Sequence, residues 1–218
     1  MLLRNVPTTN LFEKSRFTAA LFVGLSLLLS ACSPAPQPLD LSVSDEWREG
    51  DLALRCGWGV ESRMVTMQGS YYSHIGILHY DTLSAQWQVI HAVPGEDEPE
   101  YLKAEPATVF FSTERAQRGA WMRIRCNDTV AQHAVQYALT KVQQHIEFDN
   151  NYLLADTAQL YCTELVWLSY LHQGLDITCG RRQTVPTIFS KEGECIFPST
   201  IEESETSLFV KPLKTQSL

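Results

Sequence analysis

Two apolar runs rich in β-branched and aromatic residues, Tyr72–Tyr80 and Trp87–Val93, flank a short polar stretch centred near Leu83. That pattern predicts a β-hairpin, and the other elements are read around it. Glu49-Gly50-Asp51 reads as a turn into a short strand, Leu52–Arg55. Ala107–Phe111 and Ala120–Arg125 read as two more strands, the second alternating Trp121, Arg123 and Arg125 against Met122, Ile124 and Cys126. Asn127 and Asp128 are suitable N-caps for a helix to about His145, with Val130, Ala134, Tyr137 and Ala138 on one face. A second, amphipathic helix opens at Cys162, carries Leu165, Val166, Leu168 and Leu171 near one face, and stops at Gly174. A loop-rich stretch and a last strand at Leu208–Val210 complete an α+β fold, a mainly antiparallel sheet with packed helices.

Three residues of this frame suit nucleophilic chemistry. A thiol at a helix start, Cys162, feels unsatisfied N–H groups and the positive end of the macrodipole, which lower its pKa toward the thiolate. His74 shares a face of the first hairpin strand with Gly76, whose missing side chain leaves room beside the imidazole. Folding the hairpin about Leu83 pairs residues whose numbers sum to roughly 166, which brings His91 close to His74; a slip of one residue would separate their faces. One imidazole would take the thiol proton and the second group would orient it, while N–H groups of the helix start meet an oxyanion. The same trio could instead be buried structural residues. It could also be ligands of zinc, although no close Cys-x-x-Cys or His-x-x-x-His spacing supports a metal site, and no metal or other cofactor is expected. His79, His133, His145 and His172 read as surface or helix-face residues.

The chain opens with Arg4, Lys14 and Arg16 ahead of an apolar run, Phe17–Leu29, too short for an ordinary spanning helix. The run ends in Leu29-Ser30-Ala31-Cys32, which resembles the lipobox of bacterial lipoproteins. By that resemblance residues 1–31 are a signal peptide, Cys32 is lipidated, and Ser33 after it directs the chain to the outer membrane, on its periplasmic face. Residues 32–47 are then a Pro- and Ser-rich tether and 48–218 one domain. Removing 1–31, with three basic residues and one acidic one, takes the formal charge from −8 to −10. So acidic a body argues against nucleic acid, and membrane attachment falls to the lipid on Cys32. An oxidising compartment permits two disulfides among Cys56, Cys126, Cys179 and Cys195; Cys179 to Cys195 is the local pairing, with free thiols the alternative.

The ordered set Gly50-Asp51, Tyr72-Ser73-His74-Ile75-Gly76 and Tyr161-Cys162-Thr163-Glu164-Leu165-Val166, followed by Phe197-Pro198-Ser199, resembles the YaeF/YiiX family over about residues 48–212. These are circularly permuted papain-like enzymes, relatives of NlpC-type cell-wall peptidases and of lecithin:retinol acyltransferase. The resemblance implies Cys162 as nucleophile, His74 as base and His91 as orienting residue, where close relatives often place a glutamate. It also implies a tyrosine near the site; its position is matched by Phe148-Asp149, with Tyr152 or Tyr161 as substitutes. The function so implied is cleavage or transfer of an envelope amide or ester, from a peptidoglycan peptide or an acyl lipid, through a thioester. The alternative is a lipoprotein that keeps the groove only for binding.

Overall fold

The structure is a computed structural model that describes residues 36–95, 99–155, 157–186, 190–191 and 193–216. The expected signal segment and Cys32 lie outside these residues. These described residues form one compact unit.

Six strands make the main sheet: β1 (Leu52–Cys56), β2 (His74–Asp81), β3 (Gln86–His91), β4 (Lys103–Pro106), β5 (Arg118–Ile124) and β10 (Ser207–Pro212). Their order is β10-β5-β1-β2-β3-β4, and every neighbouring pair is antiparallel. Two small sheets, β6 (Glu147–Phe148) with β7 (Gln159–Leu160) and β8 (Gln183–Thr184) with β9 (Glu194–Cys195), bracket the loop-rich parts. The helices are α1 (Val60–Met67), α2 (Ala107–Phe110), α3 (Asp128–Gln143), α4 (Cys162–Leu171) and α5 (Pro198–Glu202).

Period-two alternation gives the main sheet two covered faces. Leu52, Leu54, Ile75, Ile77, Ile90 and Met122 join the core shared with α3 and α4, each burial contributing about 1.5–3 kcal/mol. Ala53, Leu78, Val89 and Trp121 join Trp47, Phe110 and Phe111 on the opposite side. Asn127 caps α3 as expected, its side-chain oxygen accepting from Val130 N–H at 2.9 Å. Gly50 and Asp51 have structural work at the entrance to β1. Tyr170 of α4 donates its hydroxyl to the Gly50 carbonyl, and Asp51 takes two 2.7 Å bonds from Arg123.

Several expectations need correction. Ala107–Phe111 is not a strand: β4 precedes it, and Ala107–Phe110 is a helical turn that buries Ala107 and Phe110. A short apolar run has too few residues for periodicity to separate the two. Helix α4 is not amphipathic; seven of its residues from Thr163 to Tyr170 are buried, so it runs through the interior. Residues 39–47, expected within the tether, are packed on the body, with Leu39 bridged to Thr215 and Trp47 buried. Cys179 and Cys195 are not joined: no disulfide links Cys56, Cys126, Cys162, Cys179 and Cys195.

Candidate active site

The hairpin register decides where the histidines meet. Ile77 pairs with Ile90, so paired numbers sum to 167; at the expected 166 His91 would have faced Ile75, on the opposite face from His74. The four-residue turn Thr82–Ala85, with Ala85 in a left-handed conformation (φ 51), sets the observed register. Continuing that ladder sets His91 against Gly76, on the same face as His74 and diagonal to it. Gly76 is required there. A Cβ at this position would come within 2.4 Å of Val89 Cγ1 and 3.0 Å of His91 Cβ.

His74 Nε2 lies 2.8 Å from His91 Nδ1, with both rings buried. His91 Nε2 lies 3.1 Å from Glu105 Oε1, close enough for an ion pair though angled away from a good hydrogen bond. Glu105 is held in turn by Arg115, whose Nη1 donates to Oε1 at 2.9 Å and Oε2 at 2.7 Å. The carboxylate fixes the proton positions in series. It draws the single proton of neutral His91 to Nε2, so Nδ1 accepts; His74 must then donate from Nε2. The Nδ1 of His74 is left unprotonated, which is the form a general base needs.

Phe110 forms the floor under both rings, stacked on His74 at 5.6 Å and edge-on to His91 at 5.1 Å. Arg55 lies over the other region of that phenyl ring, 4.6 Å from its centroid, and donates to the Phe110 carbonyl. Burial, then the Arg55 charge, then His91 push the His74 pKa well below its ordinary value. Burial likewise lowers that of His91, against the pull of Glu105. Burial would raise the Glu105 carboxyl, but His91, Arg115 and Lys103 outweigh it and bring its pKa to about 2.

Cys162 opens α4 as expected, and its N-cap, Tyr161, makes no side-chain cap. The first-turn N–H groups are therefore left for another acceptor. The Thr163 hydroxyl is spent on the Ile196 carbonyl. The expected pKa depression is not found: burial pushes the half-buried thiol up to about 11, against the N–H groups of Ile75, Thr163 and Cys162 itself, which favour the thiolate. Desolvation outweighs the helix terminus here. Desolvation thus favours the neutral thiol and the neutral imidazole over a preformed ion pair.

Cys162 and His74 line one cavity of about 230 Å³. Trp58, Val65, Phe148 and Phe197 supply much of its apolar wall. Of the two candidate tyrosines, Tyr161 is buried and its hydroxyl accepts from Ile196 N–H at 3.1 Å. Tyr152 lines the cavity in a left-handed conformation (φ 53) rare for a bulky residue. The Asp149 carboxylate holds it there by accepting from the N–H groups of Asn151 and Leu153, and Ser190 donates to its carbonyl at 2.9 Å. Glu164 does not line this cavity and is fully buried. His79 pairs with Glu49, and His172 stacks on Tyr137.

Glu105, Arg115, Arg55 and Phe110 are missed by sequence reasoning. With a strand placed at 107–111, Glu105 falls in a loop; it is in fact the partner of Val89, on the His91 face of the next strand.

The fold has a solved counterpart. The crystal structure of the metalloprotein yiiX from Escherichia coli O157:H7, DUF1105, superposes with a TM-score of 0.59 at 15% identity, covering 78% of this chain and 98% of that one. The chain has the yiiX fold. No family model matches the sequence, and no curated protein does. The yiiX neighbour is described as a metalloprotein. Here the four imidazole nitrogens are not a free donor set: two face each other and a third faces Glu105. Among the described residues, no group of three His, Cys, Asp or Glu side chains is disposed to hold a metal.

Proposed function

We propose that this chain is a lipid-anchored cell-envelope thiol hydrolase or acyltransferase with a permuted papain-like site, in which Cys162 is the nucleophile, His74 the base and His91 the orienting residue. The observation that carries the reading is an uncapped helix start bearing Cys162 in the same cavity as an imidazole backed by a second imidazole and, behind that, a carboxylate. Attack begins as His74 Nδ1 takes the thiol proton and Sγ bonds to the carbonyl carbon of an amide or ester. The oxyanion is met by N–H groups at the start of α4. Collapse expels the amine or alcohol, which receives the proton from His74 and leaves a thioester on Cys162. His74 then deprotonates water, or an acceptor alcohol or amine, which displaces Sγ and restores the thiol.

Charge develops on His74 during both steps. The Glu105 carboxylate beside His91 stabilises that charge electrostatically, so it acts at one remove from the base without taking a proton. The substrate is an envelope peptide amide or acyl ester, and attachment is by lipid on Cys32 at the periplasmic face of the outer membrane.

One observation favours a second reading, a groove that only binds: the thiol pKa is raised, not lowered. The two readings are separated by incubating the protein with a chromogenic fatty-acyl ester and with an acyl-alanine amide. Mass spectrometry is expected to find an acyl adduct on Cys162 and none in Cys162→Ala, which loses turnover while keeping its thermal transition. Full turnover in Cys162→Ala overturns the enzyme reading.

A further inference from the structure

Helix α1 is built inside out. Val60, Met64 and Met67 fall within about 60° of one another around the helix axis, and are 65%, 36% and 82% exposed. No residue of this helix is buried. Its inner side instead carries Ser62, whose hydroxyl lies 3.0 Å from Ser73 Oγ, with the half-buried Val65 and Thr66. A helix held only by its own core contacts would reverse this arrangement. The exposed Trp58 extends the stripe at its N-terminal end.

Two observations indicate what covers the stripe. Trp58, two residues ahead of Val60, also lines the Cys162 cavity, so the stripe meets the mouth of the proposed active site at that indole. The segment leading from the lipobox cysteine also joins the body beside it. Pro38 and Leu39 line one hollow together with Thr113 and Glu114; Trp58 Nε1 donates to the Thr113 carbonyl at 3.0 Å, and Glu114 lines the Cys162 cavity as well. The chain from Cys32 to Leu39 can span at most about 25 Å. Acyl chains on Cys32 would therefore hold a bilayer within reach of Trp58. Among the described residues no helix is long and apolar enough to cross a membrane, so contact here is by a surface. Trp at headgroup depth with Val and Met at the acyl boundary suits such a surface. Glu61 and Arg63, exposed on its flanks, offset each other, and the net charge of −10 that remains once 1–31 is removed disfavours anionic lipid.

We propose that Trp58, Val60, Met64 and Met67 form a docking surface for zwitterionic bilayer, which holds the mouth of the Cys162 cavity against the membrane. The proposal rests on the lipid-anchor reading of Cys32. Its test uses full-length protein purified from cell membranes and reconstituted into phosphatidylcholine vesicles with brominated acyl chains. The Trp58 share of tryptophan emission is taken as the difference between the wild type and Trp58→Phe. Bromolipid is expected to quench that share, and the Val60→Asp/Met67→Asp variant to lose the quenching while its Cys162 alkylation rate is unchanged. Quenching that is absent, or equal in the double variant, overturns the docking surface. So does a dimer, seen by sedimentation without lipid, that the double substitution dissolves, since a second copy then covers the stripe. An intact mass without acyl chains on Cys32 overturns the anchor reading and the docking proposal with it, whereas an acylated chain with unquenched Trp58 overturns docking alone.

Discussion

The Nε2 atom of His74 and the Nδ1 atom of His91 lie 2.8 Å apart, two buried neutral rings where a carboxylate would be the simpler partner for a base. The carboxylate is present one position further back, in Glu105, and Arg115 keeps it ionised and aimed.

Glu105→Gln removes that charge with little change in volume. The turnover number is expected to fall about tenfold or more, the scale seen when an orienting outer partner is lost, with KM little changed. Steady-state kinetics on the ester substrate measure it, and an unchanged turnover number would assign Glu105 to structure alone.

The acid limb of the pH–rate profile should lie below pH 6.5. His74 acts in its neutral form, and its pKa is depressed by burial, Arg55 and His91; the working fraction therefore stays high as pH falls through the ordinary histidine range and is lost only below it. A limb at or above pH 6.5 in kcat/KM would contradict this.

Alkylation of Cys162 by iodoacetamide should be slow at pH 7 and climb with pH without levelling before about pH 11, because burial holds the thiol up. A plateau by pH 8 would mean that a thiolate is already formed at rest.

The Glu105 carboxylate also links stability to pH. Its pKa falls from 4.5 in the unfolded chain to about 2 in the fold, so its contribution is complete above pH 4.5 and is lost as pH drops toward 2. Denaturant titrations of the wild type and Glu105→Gln should converge over that window; a constant gap would dissociate the loss from ionisation.

Gly76→Ala should cost about 1–3 kcal/mol through overpacking, since its Cβ would crowd Val89, His91 and the Ile90 carbonyl. Chemical denaturation reads the loss, and a neutral substitution would show that the two strands can part there freely.

Much of the frame was legible because it depends on local pattern. The hairpin runs, the Asn127 cap and the helix start at Cys162 are set by neighbouring residues, and the observed elements follow them. What failed depends on three-dimensional environment. The Cys162 pKa follows burial, which a terminal position does not encode. The partnership of Glu105 with His91 depends on β4 lying beside β3, and misreading Ala107–Phe110 as a strand hid it. The inverted helix α1 gave no signal, since its apolar spacing points to solvent instead of the core.

The contact between Gly76 and His91 carries a consequence for the history of such chains. A side chain at 76 would meet Val89 Cγ1, the Ile90 carbonyl and the His91 Cβ, an atom that any residue but glycine at 91 carries, so changing the imidazole makes no room at 76. Across descendants of this sequence, the second histidine can therefore be replaced without a change at 76, and position 76 should trace an unbroken line through glycine.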